Sequence, residues 1–96
     1  MLISIIIPIY NVSSYIERCL QSVMRQTYGE IECLIVDDAS PDDSIEKCER
    51  LIEAYNGPIR FLILHHEHNR GLSAARNTGT EASTGDYILY LDSDDA

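Results

Sequence analysis

With 96 residues, 45% of them hydrophobic and only three prolines, the chain has the composition of one globular domain or a piece of one. At this size it buries roughly 65% of its unfolded surface. The formal charge of −9 offers no basic patch to neutralise phosphates, which argues against nucleic acid as a partner.

The first element is the run "LISIIIPIY" at 2–10, apolar with almost no alternation, as in a strand buried on both faces. It has neither a basic leader nor a small-residue cleavage site and is too short to span a bilayer, so neither a signal peptide nor a membrane helix is expected. A helix comes next over 13–27, where Tyr15, Ile16, Cys19, Leu20, Val23 and Met24 share one face and Ser13 or Ser14 supplies the start. The breaker "YGE" at 28–30 leads into a second strand, "IECLIVDD". "SPDD" (Ser40, Asp42, Asp43) then opens a helix over 43–55, with Ile45, Cys48, Leu51, Ile52 and Tyr55 on its apolar face. After "NGP" at 56–58 comes the strand "IRFLILHH", then a weaker Ala- and Thr-rich helix over 72–83. "STGD" at 83–86 introduces the last strand, "DYILYLD".

The order βαβαβαβ predicts an α/β fold, a three-layer, doubly wound and mainly parallel sheet with right-handed crossovers placing helices on both faces. Cys19, Cys33 and Cys48 are odd in number and set in apolar patterns, so they read as reduced core thiols of a cytoplasmic protein. Membrane association stays open for the full-length protein.

Ligands of such sheets sit beyond the carboxyl ends of the strands. The residues just past each strand are therefore the place to look: Pro8 to Asn11, Asp37 and Asp38, His65 to Arg70, and Asp92 to Asp95. Asp92 and Asp94 leave a strand end two positions apart, where they can share a hard cation such as Mg²⁺ or Mn²⁺; a D-x-D also suits a helix N-cap or a solvated turn. Asp38 can accept a hydrogen bond from a base or ribose, whereas Asp42 and Asp43 read as caps of the second helix. Arg76 can reach a base carbonyl or a phosphate, or form a surface ion pair. His65, His66 and His68 read as solvated loop histidines, since no cysteine partners them as metal ligands.

Taken in order, "SIIIPIYNVSSYIERCLQSVMRQTY", "IECLIVDDASPDDS", "HNRGLSAARNTG" and "GDYILYLDSDD" resemble the opening half of family-2 glycosyltransferases of the GT-A fold, over nearly the whole chain. The resemblance implies a UDP-sugar donor, a divalent metal (Mn²⁺ or Mg²⁺) and inversion at the anomeric carbon. It places Pro8 and Tyr10 against the nucleotide, Tyr10 near uracil, and pairs Asp38 with the uracil N3–H. Arg76 reaches the base or diphosphate, Asp92 lies near the ribose and diphosphate, and Asp94 holds the metal. It also implies a strand order beginning 3-2-1-4, and an acceptor pocket for a carbohydrate or lipid-linked acceptor together with a general base beyond Ala96. Residues 1–96 are thus expected to form a truncated nucleotide-binding half-domain that binds nucleotide but transfers no sugar, and to self-associate through the last strand. A sugar-1-phosphate nucleotidyltransferase and a non-catalytic nucleotide-binding module remain alternatives.

Overall fold

The structure is a computed structural model that describes residues 1–92. Its elements come in the expected order: β1 (Ile3–Ile9), α1 (Ile16–Met24), β2 (Ile31–Asp37), α2 (Ser44–Ala54), β3 (Arg60–His65), α3 (Leu72–Ala82) and β4 (Tyr87–Tyr90). All three pairings are parallel and the strand order is β3-β2-β1-β4.

Side chains leave successive strand residues on opposite faces, so each central strand feeds two cores. Ile5, Ile7 and Ile9 of β1 and Cys33 and Ile35 of β2 pack under α1 and α2, against Ile16, Cys19, Leu20 and Cys48. Ile6, Leu34 and Val36 pack on the other side under α3, against Ala75. The small residues of α3 serve this approach: a Cβ on Gly79 would stand 2.5 Å from Ile6 Cγ2. Cys19, Cys33 and Cys48 are buried and form no disulfide, and burial, helped by the neighbouring Cys19, pushes the Cys48 thiol up to about 12.

Two expectations change. The apolar runs suggested strands buried on both faces, which holds for β1 and β2 only. β3 is partly exposed and β4 is exposed at every position, Tyr87 at 58% and Leu89 at 54%. The strand order makes them the sheet's edges, and the helices centre over β1 and β2. The first helix is also shorter than its periodic pattern. Ser13 does not cap it; its N–H goes to Asp42 and its hydroxyl to Asp43, so residues before Ile16 are turned toward α2 instead.

At the amino ends of the strands a buried carboxylate fastens β4 to the centre. Glu32 accepts from Ser4 Oγ (2.6 Å), Thr84 N (2.6 Å) and Thr84 Oγ1 (2.9 Å), while Gly85 N donates to Ser4 Oγ at 2.9 Å. Gly85 is required by this approach, since a Cβ there would lie 2.8 Å from the Ser4 backbone nitrogen. Burial raises the Glu32 pKa, but the Ser4 and Thr84 donors, with Arg60 adding, outweigh it and hold the group below its ordinary 4.5. The unfolded chain therefore binds this proton more tightly than the folded one. Glu32 contributes its full stability above pH 4.5, and the contribution is lost as pH falls through the lowered folded value. Glu32→Gln is expected to unfold more readily at pH 7 and to show a shallower loss of stability on acidification, read by urea titration from pH 7 down to about pH 3, through the ordinary carboxylate values of about 4.

Candidate functional site

Asp38 N donates to Ile9 O (2.9 Å) and His66 N to Asp37 O (2.8 Å), so Asp38 and His66 each stand one residue beyond the ends of β2 and β3. The register that pairs Asp37 with His65 brings the next two residues together as well. Asp38 is buried, and its carboxylate collects four donors. Oδ1 accepts from His66 Nδ1 (2.7 Å) and Arg70 N (2.8 Å); Oδ2 accepts from Asn69 Nδ2 (2.9 Å) and Gly71 N (2.9 Å). Burial raises the Asp38 pKa, but these donors prevail and keep the carboxyl below its ordinary value.

The His66 ring is only 4% exposed, which corrects the expectation of a solvated loop histidine. Its Nε2 lies 2.7 Å from Thr78 Oγ1 on α3. Because Asp38 is an acceptor, Nδ1 carries a proton; in the tautomer with no proton on Nε2, that nitrogen accepts a hydrogen bond from the Thr78 hydroxyl. Loop 66–71 is thereby wound around Asp38 and delivered to the start of α3, where Gly71 takes φ 95°. His65 behaves differently: its ring is exposed and pairs with Asp37 Oδ2 at 3.1 Å.

The neighbouring turn is fixed from α2. Ser40 Oγ accepts from Asn11 N (2.8 Å) and donates to Asp42 Oδ1 (2.6 Å), and Lys47 Nζ donates to Ser13 O at 2.8 Å. Asp42 also accepts from Ser44 N (3.1 Å), so it does cap α2, whereas Asp43 at the N-cap position makes no cap bond. Asn11 and Ala39 adopt left-handed φ of 55° and 58°. For Ala39 this costs roughly 1 kcal/mol, the consequence of turning the chain sharply after Asp38.

Between these turns and α3 lies a cleft of about 450 Å³, lined by Pro8, Tyr10, Asp38, Asn69, Gly71 and Asp92 among others. Pro8 has no N–H to donate and stands beyond the last described β1–β4 register pair, Ile6 with Tyr90. Tyr10, 48% exposed, offers its ring to the cleft. Arg76 Nη2 donates to Asp92 Oδ1 at 3.1 Å, and its guanidinium lies 5.7 Å from the centre of the Tyr90 ring. Its Nε is buried without a hydrogen-bond partner among the described residues. Of the two readings of Arg76 the structure shows the ion pair, made with Asp92 of the cleft. Asp94 lies outside the described residues.

Among the described residues no group of three His, Cys, Asp or Glu side chains is placed to hold a metal ion. A magnesium-like ion needs only one or two carboxylates when a diphosphate completes its shell. Asp92, which lines the cleft, is one carboxylate of that type. The residues that sequence reasoning missed are Asn69, Thr78 and the buried His66. Adjacent "DD" and "HH" at two strand ends were the available signal, legible only with the register in hand.

A family model described as "Glycosyl transferase family 2" matches residues 4–96. The chain belongs to glycosyl transferase family 2. It is 45% identical to the glycosyltransferase GlyA of Streptococcus pneumoniae serotype 4 over 97% of its own length and 13% of GlyA. Among solved structures, S. aureus TarS in complex with UDP is 30% identical with a TM-score of 0.87, over 98% of this chain and 28% of that one. The mannosyltransferase PcManGT of Pyrobaculum calidifontis, in complex with GDP-Man and Mn²⁺, is 28% identical with a TM-score of 0.90, over 96% and 27%. The chain spans from 13% to 36% of the length of curated relatives such as these. No helix among the described residues is long and apolar enough to cross a membrane.

The buried Asp38–His66–Thr78 chain is expected to carry stability unequally. His66→Leu removes a donor from a buried anion and should cost about 1–3 kcal/mol; Thr78→Val removes only a neutral partner and should cost about 0.5–1.5 kcal/mol. Urea unfolding of the two variants gives the comparison, and equal losses would contradict the assigned anchor.

Proposed function

We propose that this chain is the nucleotide-binding part of an inverting glycosyltransferase that takes sugar from a UDP-sugar and delivers it to an acceptor hydroxyl. The observation that carries the reading is the convergence of Pro8, Tyr10, Asp38 and Asp92 on one cleft at the carboxyl ends of a 3-2-1-4 sheet. The UDP and UDP-GlcNAc bound in TarS, and the GDP-Man in PcManGT, support a nucleotide-sugar as the ligand class.

In this proposal the Tyr10 ring lies along the base, and the nucleotide's ribose and diphosphate run toward Asp92. Arg76 is held by Asp92 and Tyr90, and its Nε–H, unpartnered among the described residues, is a donor suited to a diphosphate oxygen. Asp94, with Asp92 beside it, would hold Mn²⁺ or Mg²⁺ against that diphosphate. The cation, when bound, would offset the negative charge that builds on the departing nucleoside diphosphate. The general base that deprotonates the acceptor hydroxyl, and the pocket for a carbohydrate or lipid-linked acceptor, are assigned to sequence beyond Ala96. Residues 1–96 by themselves are expected to bind nucleotide without transferring sugar.

Calorimetry with UDP checks the reading. Mn²⁺ should tighten UDP binding by about tenfold or more, the weight of one charge-assisted contact. Asp94→Ala should abolish that increment and leave the weaker metal-free binding in place. An increment that survives Asp94→Ala would remove the metal role from this residue.

Self-association through β4 belongs to the same proposal. All four β4 residues are exposed, and Tyr87, Ile88, Leu89 and Tyr90 include no Lys or Pro to blunt an edge. Pairing two copies edge to edge would satisfy backbone groups, while the charge of −9 opposes the approach. The dimer should therefore tighten as salt rises. Light scattering should show it, with Leu89→Lys shifting the mass toward monomer. A monomer at high protein and high salt would refute it.

A further inference from the structure

We infer that Glu32, at the amino end of the sheet, is a positioning residue for the cleft at the carboxyl end. By holding the connection between α3 and β4 it places Asp92, and through Asp92 it keeps Arg76 in line. Only the consequence for ligand binding rests on the nucleotide reading above.

β4 has little of its own to hold it. Its four residues are all exposed, whereas every residue of β1 after Ile3 is buried. Among the described residues its one strand partner is β1, over four register pairs. The two buried cores contain no residue of β4, so the strand can leave without emptying either. Polar contacts must therefore carry much of its docking, and the buried ones are gathered at Glu32. This residue stands on β2, yet its carboxylate reaches across β1 to Thr84 N and Thr84 Oγ1. Ser4 Oγ, which donates to Glu32, accepts from Gly85 N. Residues 84 and 85 lie between the end of α3 and the start of β4, so one buried anion fixes both elements.

From that anchor α3 and β4 form a bracket. Tyr90 Oη lies 2.7 Å from Thr80 Oγ1, which itself donates to Arg76 O at 2.8 Å. Leu91 N donates to Ile6 O at 3.0 Å, and the next residue, Asp92, closes the bracket on Arg76 Nη2. That closing pair is 37% and 39% exposed, and an ion pair so open contributes little by itself. It follows the placement of β4 rather than causing it. The strand's four residues carry the placement about 13 Å along the sheet, at about 3.3 Å per residue. An anchor remote from the cleft thus sets the geometry of the one lightly held carboxylate within it.

Hydrogen exchange and the Arg76 Nε–H resonance, recorded at low protein concentration, read this placement directly. In Glu32→Ala the Asp86 and Leu91 amides, which donate to Leu2 O and Ile6 O, should lose protection. They should exchange at least about tenfold faster than the Asp38 amide, which donates to Ile9 O at the centre of the sheet. The Arg76 Nε–H signal should move to the position it takes in Asp92→Asn. Glu32→Gln lowers overall stability, but its amide can accept from Ser4 Oγ and Thr84 N and donate to Thr84 Oγ1, so it should restore both readouts. UDP in Mn²⁺ should bind about tenfold more weakly to Glu32→Ala than to Glu32→Gln. If Glu32→Ala does not fold, Thr84→Val, which removes only the Oγ1 donor, should speed Asp86 and Leu91 exchange by about threefold or more. Loss of protection at Asp38 together with Asp86 and Leu91, or an Arg76 signal unmoved in Glu32→Ala, overturns the inference. A chain that binds no UDP brings down the nucleotide reading alone, because the amide and arginine signals still decide what places Asp92.

Discussion

Four donors converge on one buried carboxylate at Asp38, and much of the upper rim is arranged to satisfy it. Removing an anion from water is tolerable only when nearly all its hydrogen-bonding capacity is met. Meeting that demand here draws in a ring from the end of β3, a side-chain amide and two successive backbone N–H groups. The segment from His66 to Gly71 has no regular structure, yet four of its groups are fixed on one carboxylate. Where α3 begins, and hence where Arg76 stands, depends on the same anchor.

The acidity of the chain takes on a different meaning once its carboxylates are placed. Glu32, Asp38 and Asp42 are not a solvated surplus; each is the centre of a local set of donors, and each titrates below its ordinary range because those donors outweigh burial. Glu32 serves the amino ends of the strands, Asp38 and Asp42 the carboxyl ends. Asp92 is the exception among the described cleft carboxylates, half-exposed and matched to a single cation, Arg76. A carboxylate so lightly held can exchange partners when a ligand arrives, which the saturated ones cannot do.

The architecture was legible because it depends on local signals. Unbroken runs such as "SIIIPI" mark β1, helical spacing marks α1 and α2, and the breakers at 56–58 and 83–86 mark ends. The cleft was legible too, since Pro8, Tyr10, Asp38 and Asp92 all lie at or just past strand ends in a parallel sheet. The parts that could not be read depend on tertiary placement. "YILY" and "IIIPI" look alike as strings, and only strand order reveals that one is an edge and the other the centre. His66 looks like its neighbours in "HHEH" until the β2–β3 register sets it against Asp38. Asn69 carries no periodic signal at all; its place in the site comes from its amide, one of the four donors to Asp38.

The order β3-β2-β1-β4 also sets a timetable. β1 pairs with β2 as soon as the chain has returned once, but its other edge waits for residues 87–90, and Leu2 is tied to Asp86 across 84 positions. Closing so long a loop costs conformational entropy that is recovered only after the strand has docked. During synthesis at about 5–20 residues per second, residues 87–90 emerge only after all three of the other strands. Asp92, which faces Arg76 only after β4 is in place, joins the cleft last. The rim of the cleft is thus completed by the fourth strand, and a chain stalled before it would carry Tyr10, Asn69 and Arg76 without the carboxylate that holds Arg76 in line.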